Sequence, residues 1–141
     1  MKPLPHLNHS SANINSALLV ARLGVGALML SHGIPKISRF SDNPVMFVEF
    51  AGMGAEVTLA LAIFAEVLCS VLIMIGFATR FATIPLIITM LVAVLHVHGA
   101  DPFSSKEPGL QYLLVYILLL LTGAGKYSVD YVMSRNREMK Q

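Results

Sequence analysis

Apolar residues in this chain neither alternate nor keep to one face of a helix. They come in four long runs, at about 16–36, 57–78, 81–97 and 109–125, each near the ~20 residues that a bilayer's hydrocarbon core requires. The pattern predicts an all-α, integral membrane four-helix bundle with up-down-up-down topology. Residues 1–15 read as a polar tail, 16–131 as one four-span domain and 132–141 as a basic C-terminal tail. Only Thr79-Arg80 separates runs two and three, which makes them a tight antiparallel hairpin.

Within the runs, small and polar residues mark the faces that should meet. Span one holds Ala17, Ala21, Gly24, Gly26 and Gly33, which let a neighbouring helix approach closely. Asn13 or Asn15 is expected to cap it and Pro35 to end it. In span two Thr58, Ala62, Glu66 and Ser70 recur every four residues and stack on one face. In span three Thr89, Ala93 and His96 share a face, with His98 about 200° from His96 if the helix continues. Tyr112 and Tyr116 share a face of span four. The loop 37–56 mixes charges with Phe40, Met46, Phe47, Val48 and Phe50. That mixture suits interfacial anchoring, with a lid over the bundle mouth as the functional alternative.

Composition agrees with the pattern. Hydrophobic residues make up 55% and charged residues 13%, and the mean hydropathy is +0.70, outside the soluble range. A net charge of +2 leaves no footprint for nucleic acid. The one cysteine, Cys69, excludes an intramolecular disulfide and reads as a small buried apolar residue. No secretory leader is expected, because Arg22 interrupts the first apolar run and no cleavage site follows. His6 and His9 read as part of a polar tail. Six Lys and Arg residues flank the end shared by the termini and the short link, against three in the other two loops. The positive-inside rule then puts both termini in the cytoplasm.

Ionisable groups inside such runs are costly and mark functional sites by default. From the helical rise, His32 lies about 6 Å, Glu66 about 14 Å and Arg22 about 21 Å below the outer boundary. His96 and Gln111 come near the outer rim. Arg22, Glu66 and Gln111 are expected to form a structural polar network. Arg22 is the preferred partner of Glu66, since its planar donor fork suits a buried carboxylate. That pairing leaves His32, Glu66, His96, Tyr112 and Tyr116 as the ligand-binding set. Such a set in an apolar cleft suits the carbonyl oxygens of a quinone. The structural alternative is that these groups only satisfy one another and hold the helices together. No metal is assigned, because no span carries a His-x-x-x-His or Glu-x-x-His pair.

Several of these residues carry a resemblance. Arg22-Leu23, His32-Gly33 and Lys36 stand in span one, and Glu66 precedes Gly76-Phe77-Ala78-Thr79-Arg80. His96 and the closing Gly123-Ala124-Gly125-Lys126-Tyr127-Ser128-Val129-Asp130 complete the set. In this order the motifs resemble the DoxX family of small four-helix bacterial membrane proteins, over about residues 16–131. Ala124-Gly125-Lys126 stands where the usual ending has Pro-Gly-Arg. The resemblance implies a multi-pass protein of the bacterial inner membrane. Some relatives are described as a subunit of a thiosulfate:quinone oxidoreductase, and others as membrane anchors for redox and thiol-stress partners. No catalytic residue carries over. The sequence has no haem ligand pair, CxxC or nucleotide motif, which favours a subunit over a self-sufficient enzyme. Two readings follow: a redox-linked membrane subunit binding a quinone or similar apolar substrate, or a non-catalytic scaffold recruiting a soluble oxidoreductase. The bilayer is a partner in both, and a homo-oligomer is left open.

Overall fold

A computed structural model describes residues 11–139. These form five helices: α1 (Ser11–Arg39), α2 (Ala55–Ile75), α3 (Thr79–Val97), α4 (Phe103–Thr122) and α5 (Val129–Glu138). Among the described residues there is no strand. By length and composition α1, α2 and α3 can cross a membrane. α4 is 20 residues long and carries Lys106 and Glu107 in its first turns. His6 and His9 lie outside the described residues.

One core joins the four long helices, with Met29 from α1, Ile73 and Cys69 from α2, Leu86 from α3 and Tyr116 and Leu119 from α4. The opposite faces expose Val20, Phe81, Leu95 and Leu121. In water, each such side chain would forgo about 1.5–3 kcal/mol of burial. An apolar surface all round is the mark of a helix group embedded in lipid.

The first span is longer than its sequence pattern predicts. α1 is already helical at Asn13 and Asn15, so neither caps it, and it passes through Pro35 to Arg39. Proline removes one donor near the end of a helix that still gains tertiary contacts beyond it. Asn15 instead accepts the Lys126 N–H at 2.8 Å through its Oδ1. α1 and α2 run antiparallel and very close. A Cβ at Gly33 would stand 2.9 Å from the Glu66 Cβ, and one at Gly26 would overlap Met74.

α2 ends earlier than predicted. Gly76 takes a left-handed φ of 72°. The Phe77 N–H then donates to Leu72 O at 2.9 Å and the Gly76 N–H to Ile73 O at 3.1 Å, the bond pair of a Schellman ending. The link is therefore Gly76-Phe77-Ala78, and Thr79 and Arg80 already belong to α3.

Two π-helical turns interrupt the spans, Phe64–Cys69 in α2 and Ala93–Val97 in α3. In an ideal α-helix, residues four apart drift by about 40° each, or about 120° from Thr58 to Ser70. The wider π turn takes up much of that drift. It keeps Ala62, Glu66 and Ser70 buried on one side.

Candidate functional site

The described residues form two polar centres rather than one network. At the first, Lys36 Nζ lies 2.5 Å from both carboxylate oxygens of Glu66. Gly33 makes this possible, because its missing side chain lets α1 sit against the π turn that carries Glu66. Lys36 follows one helical turn later and reaches across. Its stem end also stands over the Phe47 ring, 5.9 Å from the centroid. The loop bearing Phe47 is held down by Phe50, edge-on to His96 at 5.5 Å, and by His96 Nε2, 3.3 Å from Glu49 O.

The ion pair forms part of the wall of two cavities. One, of about 340 Å³, lies under the loop, between Phe47, Phe50, Ala62 and Val92. The other, of about 320 Å³, lies between Met29, Met90, Gly109 and Tyr112. Lys36, Glu66, Ala93 and His98 border both. A third space of about 420 Å³ opens along α1 and α4, past Val20, Gly24 and Leu28. His32, Pro108 and Tyr112 divide it from the second. Each π turn borders this region, one carrying Glu66 and the other leading into His98. Such turns frequently occur at functional sites.

The predicted ligand set is therefore divided. His32, Glu66 and Tyr112 line the cavities, with the His32 and Tyr112 rings edge-on at 5.8 Å. Tyr116 is fully buried in the core behind Tyr112, at 6.2 Å between rings. Its hydroxyl finds no hydrogen-bond partner among the described residues. His96 points away and holds the loop. His98 takes the place predicted for it, because α3 ends at Val97 and the chain turns. The His98 N–H donates to Ala93 O at 2.9 Å, while its Nδ1 lies 2.7 Å from Asp101 Oδ2. Gln111 joins no central network; it donates to Glu107 Oε1 at 3.2 Å beside the α1–α4 groove. Among the described residues no three His, Cys, Asp or Glu side chains gather as a metal site would need.

Arg22 makes the second centre, and the expected Arg22–Glu66 pair is not formed. The register of α1 against α2 sets Gly33 opposite Glu66, Gly26 opposite Met74 and Arg22 opposite Ile73 to Gly76. Ending α1 at Lys36 had put that lysine in a loop, beyond the level of Glu66. With the helix continuing, Lys36 is the cation nearest the carboxylate, and Arg22 lies about 10 Å further along α2 by helical rise. Arg22 is fully buried. It donates to Tyr127 O and, at 3.4 Å, to Ile73 O. A Cβ at Gly76 would collide with its guanidinium.

Beside it, Asp130 closes the same end. Its carboxylate accepts the Ala78 N–H at 2.7 Å and the Thr79 N–H at 3.0 Å. These are otherwise unsatisfied donors at the start of α3, where the helix dipole also favours an anion. The Asp130 N–H returns to Gly76 O at 2.9 Å. Segments 76–80 and 126–130 and Arg22 thus form one joint, about 10 Å along α2 from the Lys36–Glu66 pair by helical rise.

The model of the DoxX family matches residues 17–99, more than half of the chain. The chain belongs to the DoxX family. The uncharacterized membrane protein Rv3486 of Mycobacterium tuberculosis is 29% identical over 147 residues, covering 93% of this chain and 88% of that protein. No solved structure matches the chain. This DoxX protein is thus a membrane protein whose motif residues divide by place. His32, Gly33, Lys36 and Glu66 build the cavity region, and Arg22, Gly76 to Arg80 and Gly125 to Asp130 build the joint.

Proposed function

We propose that this DoxX protein crosses a bacterial inner membrane four times, with both termini in the cytoplasm. Its cavities hold a quinone or a similarly apolar, carbonyl-bearing ligand, and it acts as a membrane subunit of a redox system. The six-to-three charge bias supports the orientation. The sharing of one core by α4 and the three apolar helices supports four spans.

The observation that carries the ligand reading is one buried ion pair set between two apolar cavities. A ligand pocket of this kind joins apolar walls to a few polar groups that fix orientation. Lys36 offers donors to a carbonyl oxygen. Glu66, His98 and His32 can hold or pass a proton beside it, and the Tyr112 ring closes one side. Electrons would come from a partner oxidoreductase subunit.

The test is equilibrium dialysis of a short-chain benzoquinone against the purified protein in detergent, with extracted lipids assayed for native quinone. Glu66→Gln, Lys36→Met and the cavity-filling Val92→Trp should each weaken binding at least tenfold. If the unaltered protein neither carries nor binds quinone, the cavity reading fails. The scaffold reading, in which loops or the basic C-terminal segment recruit a soluble oxidoreductase, would then replace it.

A further inference from the structure

Helix α5 follows directly from the Asp130 joint, yet none of its residues is buried. Its first turn is fixed, since Ser128 Oγ accepts the Tyr131 N–H at 3.2 Å and Asp130 holds the start of α3. Beyond that turn the helix projects with a sorted surface. At about 100° per residue, Val132, Val129 and Met133 fall within an arc of about 100°, with Asn136 on the same face one turn later, and the three apolar side chains are exposed. Arg135 lies about 60° beyond one edge of this arc and Arg137 about 40° beyond the other. Ser134 and Glu138 occupy the far side. An apolar stripe flanked on both sides by arginines is the arrangement of a helix lying in a bilayer interface, its cations reaching to the headgroups.

A second observation lies next to it. An open depression of about 560 Å³ is bordered by Arg80, Lys126, Tyr131 and Ser134. Arg80 and Lys126 are exposed. With Arg135 and Arg137 they make a cluster of four cations at one end of a membrane protein. Asp130 also borders the depression, but its carboxylate is taken up by two backbone amides. Clusters of four or more Lys and Arg beside a span recognise anionic lipid, at about 1 kcal/mol per residue.

We propose that α5 lies on the leaflet at this end of the protein, Val129, Val132 and Met133 immersed at the acyl boundary. The headgroup of an anionic phospholipid occupies the depression between Arg80 and Lys126. This inference is independent of what the cavities hold.

The chain has no tryptophan, so a single introduced one reports its own surroundings. Val132→Trp, Met133→Trp and Ser134→Trp would be prepared as full-length proteins in nanodiscs of equal phosphatidylcholine and phosphatidylglycerol. One lipid at a time would carry brominated chains as quencher. Quenching at positions 132 and 133 should exceed that at 134 at least threefold. Brominated phosphatidylglycerol should quench about twice as strongly as brominated phosphatidylcholine. Adding Lys126→Gln, Arg135→Gln and Arg137→Gln should equalise the two lipids, while continued protection of the buried Cys69 from a thiol dye shows that the fold persists. Equal quenching at 132, 133 and 134 would overturn the proposal and leave α5 free for a soluble partner. Equal quenching by both lipids with the cations in place would overturn the anionic specificity.

Discussion

Replacing Lys36 by methionine tests whether the buried ion pair is a coupled unit. The Glu66 side chain is only 4% exposed and that of Lys36 21%, so the two removals are not equivalent. Lys36→Met leaves a carboxylate with almost no access to water. Breaking a buried pair in this way costs about 3–5 kcal/mol. Glu66→Gln leaves an ammonium on a long stem whose end already meets solvent, so its cost should be smaller. The double variant Lys36→Met, Glu66→Gln removes both charges and should recover much of the loss. At roughly 3–4 °C per kcal/mol for a chain of this size, Lys36→Met should melt about 9–20 °C lower. Cys69 supplies the assay, since it is the one thiol and is buried in the core. A thiol-reactive dye then brightens as the protein unfolds in detergent. A Lys36→Met melting point within 3 °C of the unaltered protein would refute the reasoning, as would a double variant no better than Lys36→Met.

Three further predictions use the same melt or simple companions to it. Gly76→Ala should cost more than about 2 kcal/mol, from the left-handed φ and the collision with Arg22, whereas Gly24→Ala, which meets open space, should be nearly neutral. Asp130→Ala should cost about 1.5–3 kcal/mol by freeing the Ala78 and Thr79 amides, with faster hydrogen exchange confined to the start of α3 and Asp130→Asn intermediate. Ala62→Leu should destabilise more than Leu61→Ala, because Ala62 is 8% exposed and Leu61 49% exposed; equal melting points would count against that stripe.

The apolar runs made the helical class, the membrane placement and the α1–α2 contact legible. Glycine at 26 and 33 and the four-residue stripe in α2 meet in the structure as small residues in lipid should. What stayed hidden depended on features without a local signal. α3 ends at Val97 where its apolar run ends, but a π turn leaves no sequence period, so which of His96 and His98 borders the cavities is not readable. Pro35 predicts a stop, but the packing of α1 against Glu66 carries the helix past it. That one turn moved Lys36 from the loop into the site. Its spacing of four from His32 placed it on the same face, and this was the available clue. The role of Asp130 was out of reach because its partners, Ala78 and Thr79, are about 50 residues away in sequence.

The two polar centres differ in how their charges are satisfied, and this difference separates structure from site. Arg22 donates to two carbonyl oxygens, its Nε having no partner among the described residues, and sits beside a carboxylate that holds helix-end amides. Every contact there joins one segment of the chain to another, and filling the space at Gly76 would wreck it. Lys36 and Glu66 hydrogen-bond to each other, with the Phe47 ring beside the ammonium and apolar cavity volume on two sides. A purely structural pair would be surrounded by packed side chains, because voids beside buried charge forfeit dispersion contacts and gain nothing for the fold. Keeping a desolvated carboxylate and its half-buried ammonium partner at the edge of open space makes physical sense when something enters that space and exchanges partners with them. By that reasoning, substitutions at the Arg22 joint should lower stability and leave ligand affinity per folded molecule unchanged. Substitutions at Lys36 should alter both, and a variant set in which affinity and stability move together at both ends would remove the distinction.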